Sequence, residues 1–140
     1  MSITIKEFPY SPEQLAWLDD LETTDATQGI GYLHKDDAFD CLGRACVTLG
    51  IPAEYGRAIR DGVVSYDGSV SVLSDSIQIM LQLRGDGGDF KQSEMAGDYL
   101  VDSLITLNDA VGYTFKQIAA FIRSDPTNVF TNLDAPEVSP

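Results

Sequence analysis

Chemically versatile side chains are scarce in this chain. Histidine occurs once and cysteine twice among 140 residues. Cys41 and Cys46 lie five residues apart, the wrong spacing for a Cys-x-x-Cys redox or zinc element. On one helix that spacing turns two side chains about 140° away from each other, so the two do not easily bridge and two buried free thiols are expected. Positive charge is also short, with 9 Lys and Arg against 22 Asp and Glu, a formal net charge of -13. So negative a surface repels phosphate backbones and anionic membranes, so neither direct nucleic-acid binding nor membrane binding is expected. No apolar run approaches the roughly 18 residues that span a bilayer, and the N-terminus lacks the basic flank and apolar stretch of a signal peptide. A cytosolic protein is expected.

What is present is enough for a core. At 44 % hydrophobic and 9 % aromatic residues, only the charge half of the disorder signature holds. One globular domain over residues 1–132 is expected, followed by an acidic tail over 133–140.

Ser11-Pro12-Glu13-Gln14 reads as a capping box with proline at the first helical position, and Tyr10 with Leu15 as its hydrophobic staple. Leu15, Trp17, Leu18 and Leu21 make the inward stripe, while Asp19, Asp20, Glu22 and Asp25 make the other face negative. Residues 30–39 read as two short strands broken by Lys35-Asp36-Asp37, with Leu33 inward and His34 outward. Asp40 caps a buried helix carrying Leu42, Ala45, Cys46 and Leu49, stopped by Gly50 and Pro52. A short helix is expected from Ala53 to Asp61. Asp67-Gly68 between Val63–Tyr66 and Ser69–Val72 is a type I′ hairpin signal. Ile77, Met80 and Leu81 mark the next helix, ended by the glycine run from Arg84 to Asp89, which reads as a flexible loop. Leu100, Val101, Leu104 and Leu107 suggest another helix. A Thr114-x-x-Gln117 capping box, with Tyr113 and Ile118 as its staple, opens the last one, whose inward face is Phe115, Ile118, Ala119 and Ile122. About five helices mixed with small antiparallel hairpins, and no long βαβ crossover, predict a helix-dominated α+β domain.

No reaction is legible. A Cys–His nucleophile needs an activated thiolate and an oriented imidazole, and no third residue is available to orient His34 toward Cys41. Asp86, Asp89 and Glu94 miss the calcium-loop pattern at Gly88 and Phe90, and Gly85, Gly87 and Gly88 are not followed by the Lys and Ser or Thr of a phosphate loop. No catalytic residue, metal or cofactor is therefore expected. Asn108 and Asp109, just before Gly112, read as turn and capping groups. One basic island interrupts the acid: Arg44, Arg57 and Arg60, with Glu54 as the only acid in residues 41–60. These guanidinium forks either line a pocket for an anionic nucleotide or pair with acids from elsewhere in the fold.

The blocks Gln28-Gly29-x-Gly31-x-Leu33, Cys41-Leu42-Gly43-x-Ala45-Cys46 and Leu104-x-x-Leu107-Asn108-Asp109, between Trp17-Leu18-x-x-Leu21 and Phe115-x-x-Ile118-Ala119-x-x-Ile122, resemble a family of small phage- and prophage-encoded proteins. The resemblance covers residues 15–125 and implies a single domain and a phage setting, with no activity attached. That family often has a second cysteine where this chain has Asp40, which speaks against a shared thiol chemistry. Charge and resemblance together suggest a non-enzymatic accessory or inhibitor protein in the host cytoplasm. Its acidic surface would block a basic host protein, including one that normally holds nucleic acid. Asp19, Asp20, Glu22, Asp25, Asp36 and Asp37 are the densest solvated acids and the expected contacts. The alternative is sequestration of an anionic nucleotide by Arg44, Arg57 and Arg60.

Overall fold

In the computed structural model, which describes residues 7–55 and 62–134, the chain opens with α1 (Pro12–Thr23). Its capping box is complete: Ser11 Oγ accepts from the Gln14 N–H at 3.2 Å and Gln14 Oε1 accepts from the Ser11 N–H at 2.8 Å. Trp17, Leu18 and Leu21 are buried, as their spacing requires, but Leu15 is 40 % exposed and the fourth inward residue is Gln14. The stripe is shifted because Gln14 has partners inside. Its Nε2 donates to the Leu81 carbonyl at 2.9 Å and to Asn132 Oδ1 at 2.7 Å, so a buried amide is fully occupied there.

A three-stranded sheet follows. β1 (Thr27–Gln28) runs parallel to β3 (Ala38–Phe39), which pairs antiparallel with β2 (His34–Lys35). The β2–β3 hairpin matches its sequence signal, with Asp36 and Asp37 at φ 50° and 64° forming the mirror-image turn. The β1–β3 pair departs from the purely antiparallel expectation. Gly29 makes it possible by lying directly on Ala38, with its N–H bonded to the Phe39 carbonyl at 2.7 Å.

Helix α2 (Cys41–Thr48) starts at Asp40, whose Oδ1 accepts from the Gly43 N–H at 2.6 Å, and it ends before Gly50 in a left-handed conformation. The helix expected from Ala53 does not begin there. Ala53–Glu54 is β4, paired antiparallel with β5 (Ser65–Tyr66), and residues 56–61 lie outside the described residues. Asp67 and Gly68, at φ 51° and 79°, do form the two-residue turn, with Tyr66 and Ser69 exchanging both backbone hydrogen bonds. Strand pairing stops at that one bridge: β5 pairs with β4, and in the second arm the Val70 carbonyl accepts from the Leu33 N–H at 2.8 Å.

After α3 (Asp75–Met80), the glycine run is a packed turn rather than a free loop. The Leu104 and Ile105 N–H groups donate to the Gly88 and Gly87 carbonyls, and the Leu73 N–H to that of Asp86. A Cβ on Gly88 would meet the Leu104 side chain at 2.8 Å. The turn leads into the long hairpin of β6 (Asp89–Ala96) and β7 (Tyr99–Ser103). Tyr99–Ser103 is therefore a strand where an i, i+3, i+4 stripe predicted helix. Helix begins only at α4 (Leu104–Thr106), passes into a π-helical turn at Leu107–Val111, and ends at the left-handed Gly112. α5 (Phe115–Ser124) has its complete Thr114–Gln117 capping box, and α6 (Pro126–Val129) follows.

Among the described residues, six α-helices and three small sheets make an α+β domain with one core. α1 lies at its centre against α2 and α5, and the Trp17 indole N–H donates to the Cys41 carbonyl at 2.9 Å while its ring meets Phe130 edge-on.

Candidate functional site

The acids on α1 are not a free row. Asp20 takes both ends of the Arg44 guanidinium at 2.8 and 2.7 Å, in a pair whose side chains are only 16 % and 11 % exposed. Glu22 takes the Arg123 fork at 2.9 and 2.8 Å, and Asp19 touches the same guanidinium at 3.5 Å. Asp25 is exposed, as are Asp36 and Asp37 at the β2–β3 turn. Two of the six expected contact residues, Asp20 and Glu22, thus hold the domain together through bidentate pairs.

Arg44, the centre of the basic island, stacks over the Phe39 ring at 4.9 Å, and His34 stacks on the same ring at 4.0 Å. With Asp20 on its fork, Arg44 has a carboxylate partner from elsewhere in the fold. Arg57 and Arg60 lie outside the described residues. Arg84 completes the set of described arginines, gripping Asp134 at 2.8 and 2.7 Å and donating to the Thr127 and Phe130 carbonyls.

Contrary to its expected outward position, His34 is 8 % exposed, and its Nδ1 shares a 2.8 Å hydrogen bond with the Tyr66 hydroxyl. Burial lowers the pKa of His34, and it raises that of Tyr66 to about 12. The imidazole is bonded to a phenol and not to a thiol. Both cysteines are buried and free. Burial pushes Cys46 up to about 12 and Cys41 well above the usual thiol range, so neither supplies a thiolate at neutral pH.

The three central sequence blocks converge on one buried amide. Asn108, 2 % exposed on the π-helical turn, accepts at Oδ1 from Gln28 Nε2 at 2.8 Å and from the Cys41 N–H at 3.2 Å. Its Nδ2 donates to the Gly29 carbonyl at 2.9 Å and to Asp109 Oδ1 at 2.8 Å, while Asp109 Oδ2 accepts from the Gly31 N–H at 3.1 Å. Gln28 Nε2 also reaches the Tyr113 carbonyl at 2.7 Å. Asn108 and Asp109 are therefore not simple terminal caps. They join β1, the start of α2 and the π-helical turn, a role no local pattern could show.

Asp40 stands beside this knot, 2 % exposed. Burial pushes its carboxyl up to about 7, against the hydrogen bond from Gly43, with the Asp109 charge adding to the rise. A carboxyl raised in the folded state favours folding in its neutral form. Its contribution is full below the unfolded value near 3.8 and is lost as pH climbs to about 7. Asp40→Asn keeps a good helix cap without a titrating charge. Between roughly pH 5 and 8 the wild type should lose about 2 kcal/mol more stability than this variant in urea unfolding. Parallel pH profiles for the two proteins would contradict the assignment.

Among the described residues no cluster of His, Cys, Asp or Glu is arranged to hold a metal ion, and no helix is long and apolar enough to cross a membrane. Set against protein-family models, curated proteins and solved structures, the chain matches none of them.

Proposed function

We propose that this protein is a non-enzymatic binder whose acidic surface occupies and blocks a basic surface of another protein. The phage resemblance supports a host protein as that target and the host cytoplasm as the place. One observation carries the reading: every described arginine, Arg44, Arg84 and Arg123, is bonded through its fork to a carboxylate of the chain itself. Apart from Asp19, which touches Arg123 at 3.5 Å, the remaining described acids have no guanidinium partner among the described residues, in a chain of formal net charge -13. Such a field accelerates encounter with basic surfaces and disfavours acidic ones. The nucleotide-pocket alternative is weakened by the same observation, since Arg44 already has Asp20 on its fork. Asp19, Asp25, Asp36 and Asp37 remain open to solvent.

The test is retention of a partner from host lysate on the tagged protein at roughly 50 mM and roughly 500 mM salt, where screening differs severalfold in length. A basic protein held at low salt and released at high salt is expected. A partner whose affinity ignores salt, or one that is itself acidic, would remove the electrostatic basis of the proposal.

A further inference from the structure

The β6–β7 hairpin is a two-stranded sheet with only one face covered. In its register Glu94 faces Val101, Met95 faces Leu100 and Ala96 faces Tyr99. Val101 and Ala96, each 1 % exposed, turn toward the core. On the opposite face Met95 and Leu100 stand side by side at 59 % and 68 % exposed. A single exposed leucine needs no explanation, but a cross-strand apolar pair on an uncovered sheet face is the anatomy of an interface centre.

The rim of that face is acidic. Asp102 lies two residues along β7 from Leu100, on the same face. Asp89 opens β6 opposite Ser103, the residue after Asp102, and its carboxylate lies over Gly85 in the turn that carries Asp86; partial burial, and then the charges of Asp86 and Asp102, raise its pKa. Asp98 adds a further charge at the turn. The hairpin's only base, Lys91, lies close enough to Asp134 to help lower that carboxyl, after the Arg84 hydrogen bond. The described arginines are engaged elsewhere, at Asp20, Asp134 and Glu22. The α1 acids are largely neutralised by their own arginines, and the hairpin acids are not.

We infer that the open face of the β6–β7 hairpin is the docking surface, and that its occupant is a basic segment of another protein. That segment sets an apolar side chain on Met95 and Leu100 and its lysines or arginines against Asp86, Asp89 and Asp102. The inference rests on the acidic-binder reading and gives it a location. A second copy of the chain is the poorer occupant, because a symmetric contact would bring the same carboxylates face to face.

The probe is a fluorescent peptide, Lys-Thr-Lys-Leu-Lys-Val-Lys, with a counterpart carrying Glu for Lys, read by anisotropy at low salt. The full chain should bind the lysine peptide and not the glutamate one. Met95→Ser with Leu100→Ser, and separately Asp86→Asn with Asp89→Asn and Asp102→Asn, should each weaken binding about tenfold. Asp19→Asn with Asp25→Asn, Asp36→Asn and Asp37→Asn should change it by no more than about twofold. Circular dichroism checks each fold, and the serine pair, on exposed positions, keeps the test valid if the asparagine triple does not fold. Full affinity in the folded serine pair would overturn the location and leave the acidic-binder reading standing. No binding of the lysine peptide by the wild type would overturn both. A dimer that the serine pair dissociates would give the face to a second copy and overturn the inference.

Discussion

Gly43→Ala should lower the midpoint of thermal unfolding by roughly 10 °C, or about 3 kcal/mol, although alanine is the better helix former by about 1 kcal/mol. Gly43 lies inside α2 and outside the left-handed region, so its backbone conformation does not ask for glycine. What asks for it is the Leu33 main chain. A Cβ on Gly43 would fall within the Leu33 carbonyl group. That carbonyl is fixed on both sides, since the Leu33 N–H donates to Val70 at 2.8 Å and the Leu33 oxygen accepts from the Asp40 N–H at 3.2 Å. Backbone held this way cannot step aside as the end of a side chain can, so α2 must move away from the β2–β3 hairpin. The Arg44–Phe39 contact and the Asp40 cap would shift with it. Differential scanning calorimetry decides the sign: an alanine variant as stable as the wild type, or more so, would mean that helix and strand do not approach this closely.

That approach was partly visible beforehand and partly not, and the division follows the range of the forces. Ser11-Pro12-x-Gln14, Asp40 before Cys41, and Thr114-x-x-Gln117 were legible because a cap is settled within one turn of helix. Asp36-Asp37 and Asp67-Gly68 were legible because positive φ in a two-residue turn is a local demand. β6 was not. Asp89–Ala96 shifts register between Asp89 and Glu94, so its burial does not alternate, and half of its ladder has no period-2 signal to read. β7 was hidden for another reason: Leu100, Val101, Leu104 and Leu107 have helical spacing although the first two belong to a strand. Leu100 in fact faces solvent and Val101 the core, the opposite sides a strand requires.

The candidate site divides along the same line. Acidity is a property of composition, so the sign of the surface was legible at once. Its distribution was not, because each arginine finds its carboxylate across the fold: Arg44 reaches Asp20, Arg84 reaches Asp134, and Arg123 reaches Glu22. Two of the acids that looked most available in sequence are thereby withdrawn, while Asp102 joins Asp86 and Asp89 only when the hairpin closes. A local run of charge marks an exposed face, but the partner of each charge is a tertiary fact.

Asn108 shows how a sequence block can be fixed by structure without doing chemistry. Asn108→Ala should cost about 3 kcal/mol, because it strands several buried polar groups at once rather than removing one bond. The Cys41 N–H loses its Asn108 acceptor, the Gly29 carbonyl loses its Asn108 donor, and Gln28 keeps only its contact with the Tyr113 carbonyl. Asn108→Asp is the sharper variant, since it preserves shape and both accepted hydrogen bonds. It loses the two donated by Nδ2 and sets a new carboxylate against Asp109, which accepts from Nδ2 in the wild type. It should therefore be at least as destabilising as alanine at neutral pH and recover relative to the wild type as the pH is lowered, whereas the alanine variant should keep a constant deficit against the wild type. Urea unfolding of both variants, with and without Gln28→Ala, measures the coupling, expected at about 1 kcal/mol for side chains sharing a buried hydrogen bond. Additive effects of Gln28→Ala and Asn108→Ala would show that the amides act independently, and the joint of β1, α2 and the π-helical turn would then rest on the bonds of Asn108 to Cys41 and Gly29 without the Gln28 side chain.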